Sequence, residues 1–559
     1  MSKKVKIILA SILILFFGFF LVAEWWVEAI FLDIINKNPD RAYDISYDDL
    51  DLHTFFKGLT LKSAAITPLH VSDSSTAIHG KVEHIEVNGI RWRDLLFLKQ
   101  ANIRQLIFIR PEFQISVVQQ PANQHPKKEK ESTKGIQGLF GDILSRGEIR
   151  SFRIEHGSVE ARRASDSMLI GRVQNLILEA RDIETDSMQV KNLIPFQVSG
   201  FFISLDSTYI HLNEYTELRT GYIEYHTDNS EFQLNNISLS FTKDKLEVSN
   251  IVGEQTDLIE VEVKLLQINQ LDAQSNLYSD LDIRAKSILI DGLILKDFRD
   301  KNKPRPPDTE KPMFKGMVES MPIPLKVDSI IIRNSDIYYT ELGENKSEAG
   351  TIHFADLNGS IVNVTTIPEF KEEYKSFNAN FNTKLNQGAK MSVALEVPYE
   401  KEVFNLHVRV GSFNLGDLNT TIIPLADIEV TSGIAHKIDF QMNAERTESS
   451  NVLTVDYDNL GLEVLKDYGY AHNKRGLISS IANSAIRKEN MPDTKHYHIA
   501  EYKSYRNIYR GPFNFMWESA KEGMLYIVPT GAAGLLLGNP EKKAEKKQEK
   551  ETKKKKKKS

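Results

Sequence analysis

Alternating apolar and polar residues run through most of this chain and limit what it can fold into. The segments RVQNLILEARDIE (172–184), EFQLNNISLSF (231–241) and FNLHVRVGSFNL (404–415) all repeat with a period of two. This pattern predicts antiparallel strands that each have one apolar face. Helical periods are scarce between residues 40 and 470, so few helices exist to cover those faces. The sheets must pack on each other, close into a barrel, or curl into a trough that something apolar fills.

The length of 559 residues exceeds what one compact core holds. We therefore predict a mostly β fold, an elongated and curled antiparallel sheet that forms a groove and contains an internal duplication. An N-terminal transmembrane helix and short C-terminal helices complete this fold class.

Two similar stretches suggest the duplication, IEVNGIRW (85–92) and ILIDGLIL (288–295). Each is followed by a charged linker with prolines, at 121–134 and 299–312, and then by a short apolar segment and a strand. The two strands, SFRIEHGSVEAR and SIIIRNSDIYYT, are 178 residues apart, whereas the first stretches are 203 apart. The first copy therefore carries about 25 extra residues. Chance likeness between β-rich segments is the alternative explanation.

The Asn-Gly and Asp-Gly pairs allow two local structures. In a two-residue hairpin Val87 faces Ile90, and in the second copy Ile290 faces Leu293 and Ile288 faces Leu295. Alternatively, WRDLLFL after the first strand forms a short helix. In both cases Ile85, Val87, Ile288 and Ile290 point inward, and they are the candidate residues that line a lipid groove.

The N-terminus resembles a membrane anchor. Residues 5–23 contain one charge, Lys6, and are about long enough to span the hydrocarbon core. Trp25 and Trp26 lie where interfacial aromatic residues belong. A cleaved signal peptide is the alternative, but Leu21-Val22-Ala23 is a poor cleavage site. The lysines before the span predict a single-pass protein with a cytoplasmic N-terminus and an exported body.

Near the C-terminus the period becomes helical, in RGLISSIANSAIRK (475–488) and in GPFNFMWESAKEGMLYIV (511–528), which has Pro512 at its start. The apolar stretch 524–538 is too short for a confident second span; it either packs or lies at an interface, or it inserts into a membrane. Residues 541–559 contain eleven Lys and four Glu, a net charge of +7, which leaves −13 for the rest of the chain.

These features predict eight regions along the chain. They are an N-terminal anchor helix (1–37), a first β module (38–120), a charged linker (121–134), a β-rich region (135–298), a charged Pro-rich linker (299–312), a second β module (313–470), a helical C-terminal region (471–540) and a disordered Lys-rich tail (541–559).

Catalytic and metal-binding patterns are weak. The chain has no Cys, so thiolate chemistry is excluded. His496 and His498 could share a strand face, but a surface pair without a carboxylate seldom holds a metal. The acidic cluster at 47–51 lacks a partner base, and GAAG (531–534) lacks the lysine of a phosphate-binding loop. The acidic body argues against nucleic acid. We expect no enzyme activity and no cofactor.

Several segments along the chain share a recognisable pattern. They are the anchor, YDISYDDLDLHTFFKGLTLKSAAI (43–66), the block around IEVNGIRW, SGIAHKIDFQMNAERT (432–447) and YRNIYRGPFNFMWESAKEGM (505–524). Together they resemble the AsmA-like proteins of Gram-negative envelopes, a superfamily that includes TamB-type proteins. This resemblance implies an anchor in the bacterial inner membrane and a periplasmic body of curled β-sheet. It also implies a role in phospholipid movement or outer-membrane assembly. The Lys-rich tail departs from that pattern.

Two functions follow as expectations. In the first, membrane phospholipids are the partners, and they bind or move along the apolar groove between the envelope membranes. In the second, the sheets form dry sandwiches and the chain is a scaffold or an outer-membrane assembly factor that contacts other envelope proteins.

Overall fold

The structure is a computed structural model that describes residues 27–28, 36, 43–53, 57–69, 77–94, 97, 102–117, 149–183, 199–272, 283–386, 388–468, 471–474 and 485–530. Its contacts divide the chain into two compact units. Unit 1 comprises Met1–Ile237 and Asn269–Asp282, and unit 2 comprises Ser238–Ile268 and Ile283–Ser559. The predicted span at 5–23, Trp25, Trp26 and the tail 541–559 lie outside the described residues.

Unit 1 is built from a sheet whose strands follow one another along the chain. They are β1 (Tyr43–Ser46), β2 (Asp49–Leu52), β3 (Gly58–Pro68), β4 (Ala77–Asn88), β5 (Ile103–Val117), β6 (Ile149–Arg163), β7 (Leu169–Arg181), β8 (Gly200–Leu205), β9 (Ser207–Asn213), β10 (Thr216–Thr220), β11 (Ile223–His226) and β12 (Glu231–Phe241), whose last four residues are assigned to unit 2. Both β1 and β2 pair with β3, and the order continues through β4, β5, β6 and β7. Beyond β7, β8 and β9 pair with successive parts of β7; β11 pairs with β8 and β10 pairs with β9, and both β10 and β11 pair with β12.

Unit 2 is also built from a sheet. Its strands are β13 (Asp257–Asn269), β14 (Ile283–Asp291), β15 (Ile294–Asp300), β16 (Leu325–Leu342), β17 (Ala349–Thr365), β18 (Ser376–Leu385), β19 (Ala389–Pro398), β20 (Phe404–Val410), β21 (Phe413–Asn414), β22 (Ile428–Ala444), β23 (Glu448–Tyr468), β24 (Ala471–Lys474) and β25 (Ala500–Tyr505). From β16 to β20 each strand pairs antiparallel with the next. Both β20 and β21 pair antiparallel with β22, β22 pairs with β23, and β23 pairs with both β24 and β25.

The prediction of a mostly β chain is confirmed, but the prediction of an antiparallel sheet is wrong in two places. β5 pairs parallel with β6, and both β14 and β15 pair parallel with β16. A parallel pair needs a crossover connection, because the chain must return to the starting end of the strand. The two predicted charged linkers belong to these two connections, between β5 and β6 and between β15 and β16.

The strands that flank the two crossovers carry the same backbone irregularities. Residues with positive φ interrupt corresponding strands: Arg110 (φ 47°), His156 (φ 55°) and Asn175 (φ 52°) in unit 1, and Gly292 (φ 67°), Asn334 (φ 49°) and Asp356 (φ 51°) in unit 2. The strand pairing shifts register next to His156 and Asn334. Such bulges bend a strand and shift which alternate residues face inward. The structure is therefore repeat-like, with β5–β7 corresponding to β14–β17.

The hairpin predicted for ILIDGLIL is wrong. β14 and β15 run in the same direction along β16, so Ile290 does not pair with Leu293 and Ile288 does not pair with Leu295. Gly292 adopts a left-handed conformation and forms a bulge. The strand continues through this bulge, since the residues before and after it both pair with β16. In the first copy, Gly89 (φ 69°) ends β4 and Trp92–Arg93 begin a helical turn, which agrees with the second interpretation.

Short helices occupy connections in unit 2. They are α1 (Lys245–Val252), α2 (Phe314–Glu319), α3 (Pro368–Tyr374), α4 (Asn419–Ala426) and α5 (Pro512–Ile527). The Asp244 carboxylate accepts a hydrogen bond from the Leu246 amide and caps the start of α1. The predicted helix that begins at Pro512 is confirmed as α5. Most of the helix predicted at 475–488 lies outside the described residues.

Candidate functional site: the apolar face of unit 2

Two rows of apolar side chains cross the sheet of unit 2, and together they define what we call the apolar face. Residues that are directly paired on neighbouring strands lie on the same side of a sheet. The register therefore gives a first row of Ile288, Ile330, Ile361, Ala379, Leu395, Leu406 and Met442 and a second row of Ile290, Ile332, Gly359, Phe381, Val393, Val408, Phe440 and Leu453.

The opposite side of the sheet is polar on β18, β20 and β22, whereas on β14 and β16 it carries the paired apolar residues Leu289 and Ile331. On β18, Asn378, Asn380 and Asn382 alternate with Ala379 and Phe381. On β20 and β22, the polar side includes His407 and Asp439, whose side chains are 3.0 Å apart. From β18 to β22 the sheet thus has an apolar side and a solvated side, as the period-two pattern predicts.

The apolar face is covered at one end and open at the other. Leu406, Phe440 and Met442 are buried in a cluster that includes residues of α2 and α5. The ring of Phe314 on α2 lies edge-on to that of Phe404 on β20, with centroids 5.1 Å apart. In contrast, Ile288, Ile290 and Ile332 are only partly buried, and Ile330 is partly buried at the edge of that cluster. The open part therefore lies on β14–β17.

A third apolar row extends the open part toward β13. It consists of Val261, Leu295, Ile337, Phe354, Leu385 and Ala389. Leu385 and Phe381 alternate on β18 without a bulge, so this row lies on the same side as the first two. Ile259, one step beyond Val261 on the same side of β13, is exposed. The apolar face thus presents several adjacent strands of partly exposed side chains.

Charged residues close the end of this open part on β13, β15 and β16. Arg299 on β15 pairs with Asp257 on β13 at 2.9 Å, and Lys301 pairs with Glu341 on β16 at 2.6 Å. The hydroxyl of Tyr339 donates to Glu341 at 2.9 Å. These ion pairs form a polar rim next to the last apolar row.

Asp297 on β15 lies between Leu295 of the third apolar row and Arg299 of this rim. It lies between Ile259 on β13 and Tyr339 on β16 in the register. Burial and, to a smaller extent, the negative charge of Asp257 raise the pKa of Asp297 to about 7, and Arg299 opposes this shift. The Asp297 carboxyl thus exchanges a proton near neutral pH beside an apolar surface.

The four candidate groove residues occupy two different environments. Ile85 and Val87 lie on β4 in continuous apolar rows of unit 1, where both are buried in its core cluster. Ile288 and Ile290 lie on the open part of the apolar face of unit 2. The structure therefore groups Ile288 with Ile290, and Ile85 with Val87, as two sets that belong to separate units.

Residues on the neighbouring strands of the apolar face were missed from the sequence, notably Ile330, Ile332, Ile361 and Phe381. Their alternation was visible, but strand pairing decides which side chains become neighbours. The crossover between β15 and β16 could have been inferred from the linker at 299–312, because a connection of that length is unusual between adjacent antiparallel strands.

The two weak polar motifs have local explanations. His496 and His498 lie in a loop before β25, so the predicted strand is wrong there. Burial and the nearby Arg487 lower the pKa of His498. In the acidic cluster at 47–51, Asp49 and Asp51 pair with Lys62 at 2.9 and 2.6 Å.

No protein-family model matches the chain, and no curated protein resembles it significantly. Within the described part of the chain, no helix combines the length and the apolar character needed to cross a bilayer.

Proposed function

We propose that this chain is a non-enzymatic envelope protein whose apolar face in unit 2 binds the acyl chains of phospholipids. The observation that carries this proposal is the run of partly exposed apolar side chains across β14–β17, next to the charged rim at Arg299 and Glu341. An amphiphile with apolar chains and a charged headgroup matches both parts of this surface.

Acyl chains are costly to expose to water. Exposing one methylene group costs about 0.8 kcal/mol, so two chains of about 16 carbons cost on the order of 25 kcal/mol. A continuous apolar face offsets that cost along its length. The finer proposal, that the sheet curls into a groove and conducts phospholipid between two envelope membranes, rests on the bulged strands, on the apolar span at 5–23 and on the resemblance to AsmA-like proteins.

Position-specific photocrosslinking tests the proposal in the full chain. A photoreactive residue replaces Ile290, Ile332 or Phe381 on the apolar face, and Asn380 on the polar side serves as the matched control, one residue from Phe381. Cells of a Gram-negative host are irradiated before any detergent is added. We expect phospholipid adducts at the three apolar positions and none at Asn380.

Two results would overturn the proposal. The first is the absence of lipid adducts at all three apolar positions in a chain that resists proteolysis as the unmodified chain does. The second is an equal yield of lipid adducts at Asn380, which would indicate nonspecific proximity to a membrane. Protein adducts alone from the apolar positions would instead favour the scaffold function.

A further inference from the structure

The last described helix, α5, is held against the sheet of unit 2 by one of its sides. Phe515, Ser519, Gly523 and Ile527, spaced four residues apart, are buried. The Tyr502 hydroxyl on β25 donates to the Ser519 carbonyl oxygen at 2.6 Å. A Cβ on Gly523 would lie 2.4 Å from that hydroxyl, so only glycine allows this close approach. The opposite side of α5 is therefore held in a fixed outward orientation.

That outward side is aromatic and apolar. Phe513, Trp517 and Leu525 are 65%, 56% and 53% exposed, and with Lys521 they form one stripe at a spacing of four residues. We call these four residues the aromatic stripe. The ring of Phe513 also contacts Phe314 at 5.2 Å, and Met317 and Met321 nearby are exposed. Large apolar side chains that cluster on a surface mark an interaction site.

The chain that follows α5 indicates what the stripe contacts. Residues 531–538 carry no charge, and residues 541–559 carry a net charge of +7, whereas the rest of the chain carries −13. Tryptophan is enriched at the interface between membrane and water, and each lysine near an anionic membrane contributes about 1 kcal/mol of attraction. An anionic bilayer offers an apolar layer for the stripe and negative charge for the tail.

We infer that the aromatic stripe docks on the surface of an anionic phospholipid bilayer, with the Lys-rich tail supplying the electrostatic attraction. Phe513, Trp517 and Leu525 then enter the headgroup region, and the Lys521 ammonium extends toward the phosphates. The Glu518 carboxylate, 2.7 Å from Lys521, is the acidic group beside the stripe. This membrane contact is independent of acyl-chain binding by the apolar face.

Because the chain has no Cys, single-cysteine labelling tests this inference. An environment-sensitive fluorophore is attached at Phe513→Cys or Leu525→Cys, and at Lys503→Cys on β25 as an exposed control. The full chain is placed in phosphatidylcholine nanodiscs and mixed with vesicles of phosphatidylcholine alone or with added phosphatidylglycerol. We expect a blue shift at 513 and 525 only with the anionic vesicles, and none at 503.

Two further variants separate the contributions. Deleting residues 541–559 should weaken the response to anionic vesicles by about tenfold or more, because several lysine contacts are lost. Trp517→Ser, labelled at 525, should weaken it without changing its dependence on salt.

Labels at 513 and 525 that stay water-exposed with anionic vesicles would overturn the inference. Labels that are shielded before vesicles are added would also overturn it, because another part of the chain would then cover the stripe. Equal shifts with both kinds of vesicle would overturn the role of the tail.

Discussion

The repeated strands of the two units share one backbone plan but differ in how their apolar residues are covered. In unit 1, Leu106 and Phe108 on β5 pair with Phe152 and Ile154 on β6. In unit 2, Ile288 and Ile290 pair in the same way with Ile330 and Ile332. All four side chains of the first set are buried, whereas all four of the second set are partly exposed.

The residues themselves explain part of this difference. In unit 1 the rings of Phe108 and Phe152 pack edge-on, with centroids 5.4 Å apart, and fill the face. Beyond Ile154 the row continues to Leu178 on β7, but beyond Ile332 it continues to Gly359 on β17. The repeat in unit 2 thus has smaller side chains and an open face. The scaffold interpretation fits the closed face of unit 1, and the lipid interpretation fits unit 2.

A charged substitution at equivalent positions should reveal the largest difference in stability between the two units. Ile154→Asp places a carboxylate in a fully buried position, which we expect to cost about 4 kcal/mol or more. Ile332→Asp should cost less than about 2 kcal/mol, because water reaches the side chain. Hydrogen exchange mass spectrometry in urea follows each unit separately. Equal losses in stability would show that the two faces are equally closed.

Adding or removing bulk at the next position in the row should have a smaller effect. In Gly359→Ala the new Cβ would lie 2.1 Å from the Asn380 carbonyl oxygen. Because that atom is backbone, we expect a cost of about 2–3 kcal/mol from strain. Leu178→Ala removes a partly buried side chain and should cost about 1 kcal/mol. The same urea series measures both, and a harmless Gly359→Ala would contradict the close packing of β17 on β18.

The sequence predicted the faces of the strands better than it predicted their pairing. The alternation around Ile85, Val87, Ile288 and Ile290 correctly indicated residues that lie in apolar rows. It could not distinguish parallel from antiparallel pairs, because both have a period of two. It also aligned β4 with β14–β15, although the strand that corresponds to β14–β15 is β5. The covering of a face depends on distant elements such as α2 and α5, which no local pattern reveals.

The bulges, in contrast, left a signal in the sequence. On β5 the inward residues are Leu106 and Phe108 before Arg110, and Phe113 and Ile115 after it, so the alternation changes phase at a polar residue. A phase change at Arg110 and another at His156 could have located the bulges before the structure was known.

Removing the acid from the open face should change how stability depends on pH. In the repeat, Asp297 occupies the position of Ile115 in unit 1. Its pKa is raised to about 7 from 3.8, so the folded state binds the proton more tightly than the unfolded state. The stability that this proton contributes is fully present below pH 3.8 and is lost as the pH rises through about 7.

Asp297→Asn should therefore flatten the decline in stability of unit 2 between pH 4 and 7, by about 1–2 kcal/mol at neutral pH after solvent screening. Ile115→Asp should introduce a decline of the same sign in unit 1. Urea midpoints at a series of pH values check both. An unchanged slope in Asp297→Asn would mean that the carboxyl is solvated and does not feel the apolar face.

The smallest expected effect concerns the bulges, which the two repeats share. His156 bonds to Asn175 at 2.7 Å, and the Asn334 amide donates to Asp291 at 2.8 Å. At each position we compare Gly with Val, since both substitutions lose the side-chain hydrogen bond and their difference reports the backbone alone.

In an ordinary strand Val is more stable than Gly, by up to about 1 kcal/mol. In the left-handed conformation the order reverses, because a Cβ costs about 1–2 kcal/mol there. We expect Gly to be the more stable variant at both His156 and Asn334. A reversal at only one position would show that the bulge is not a shared feature, and the equivalence of β6 and β16 would lose its support.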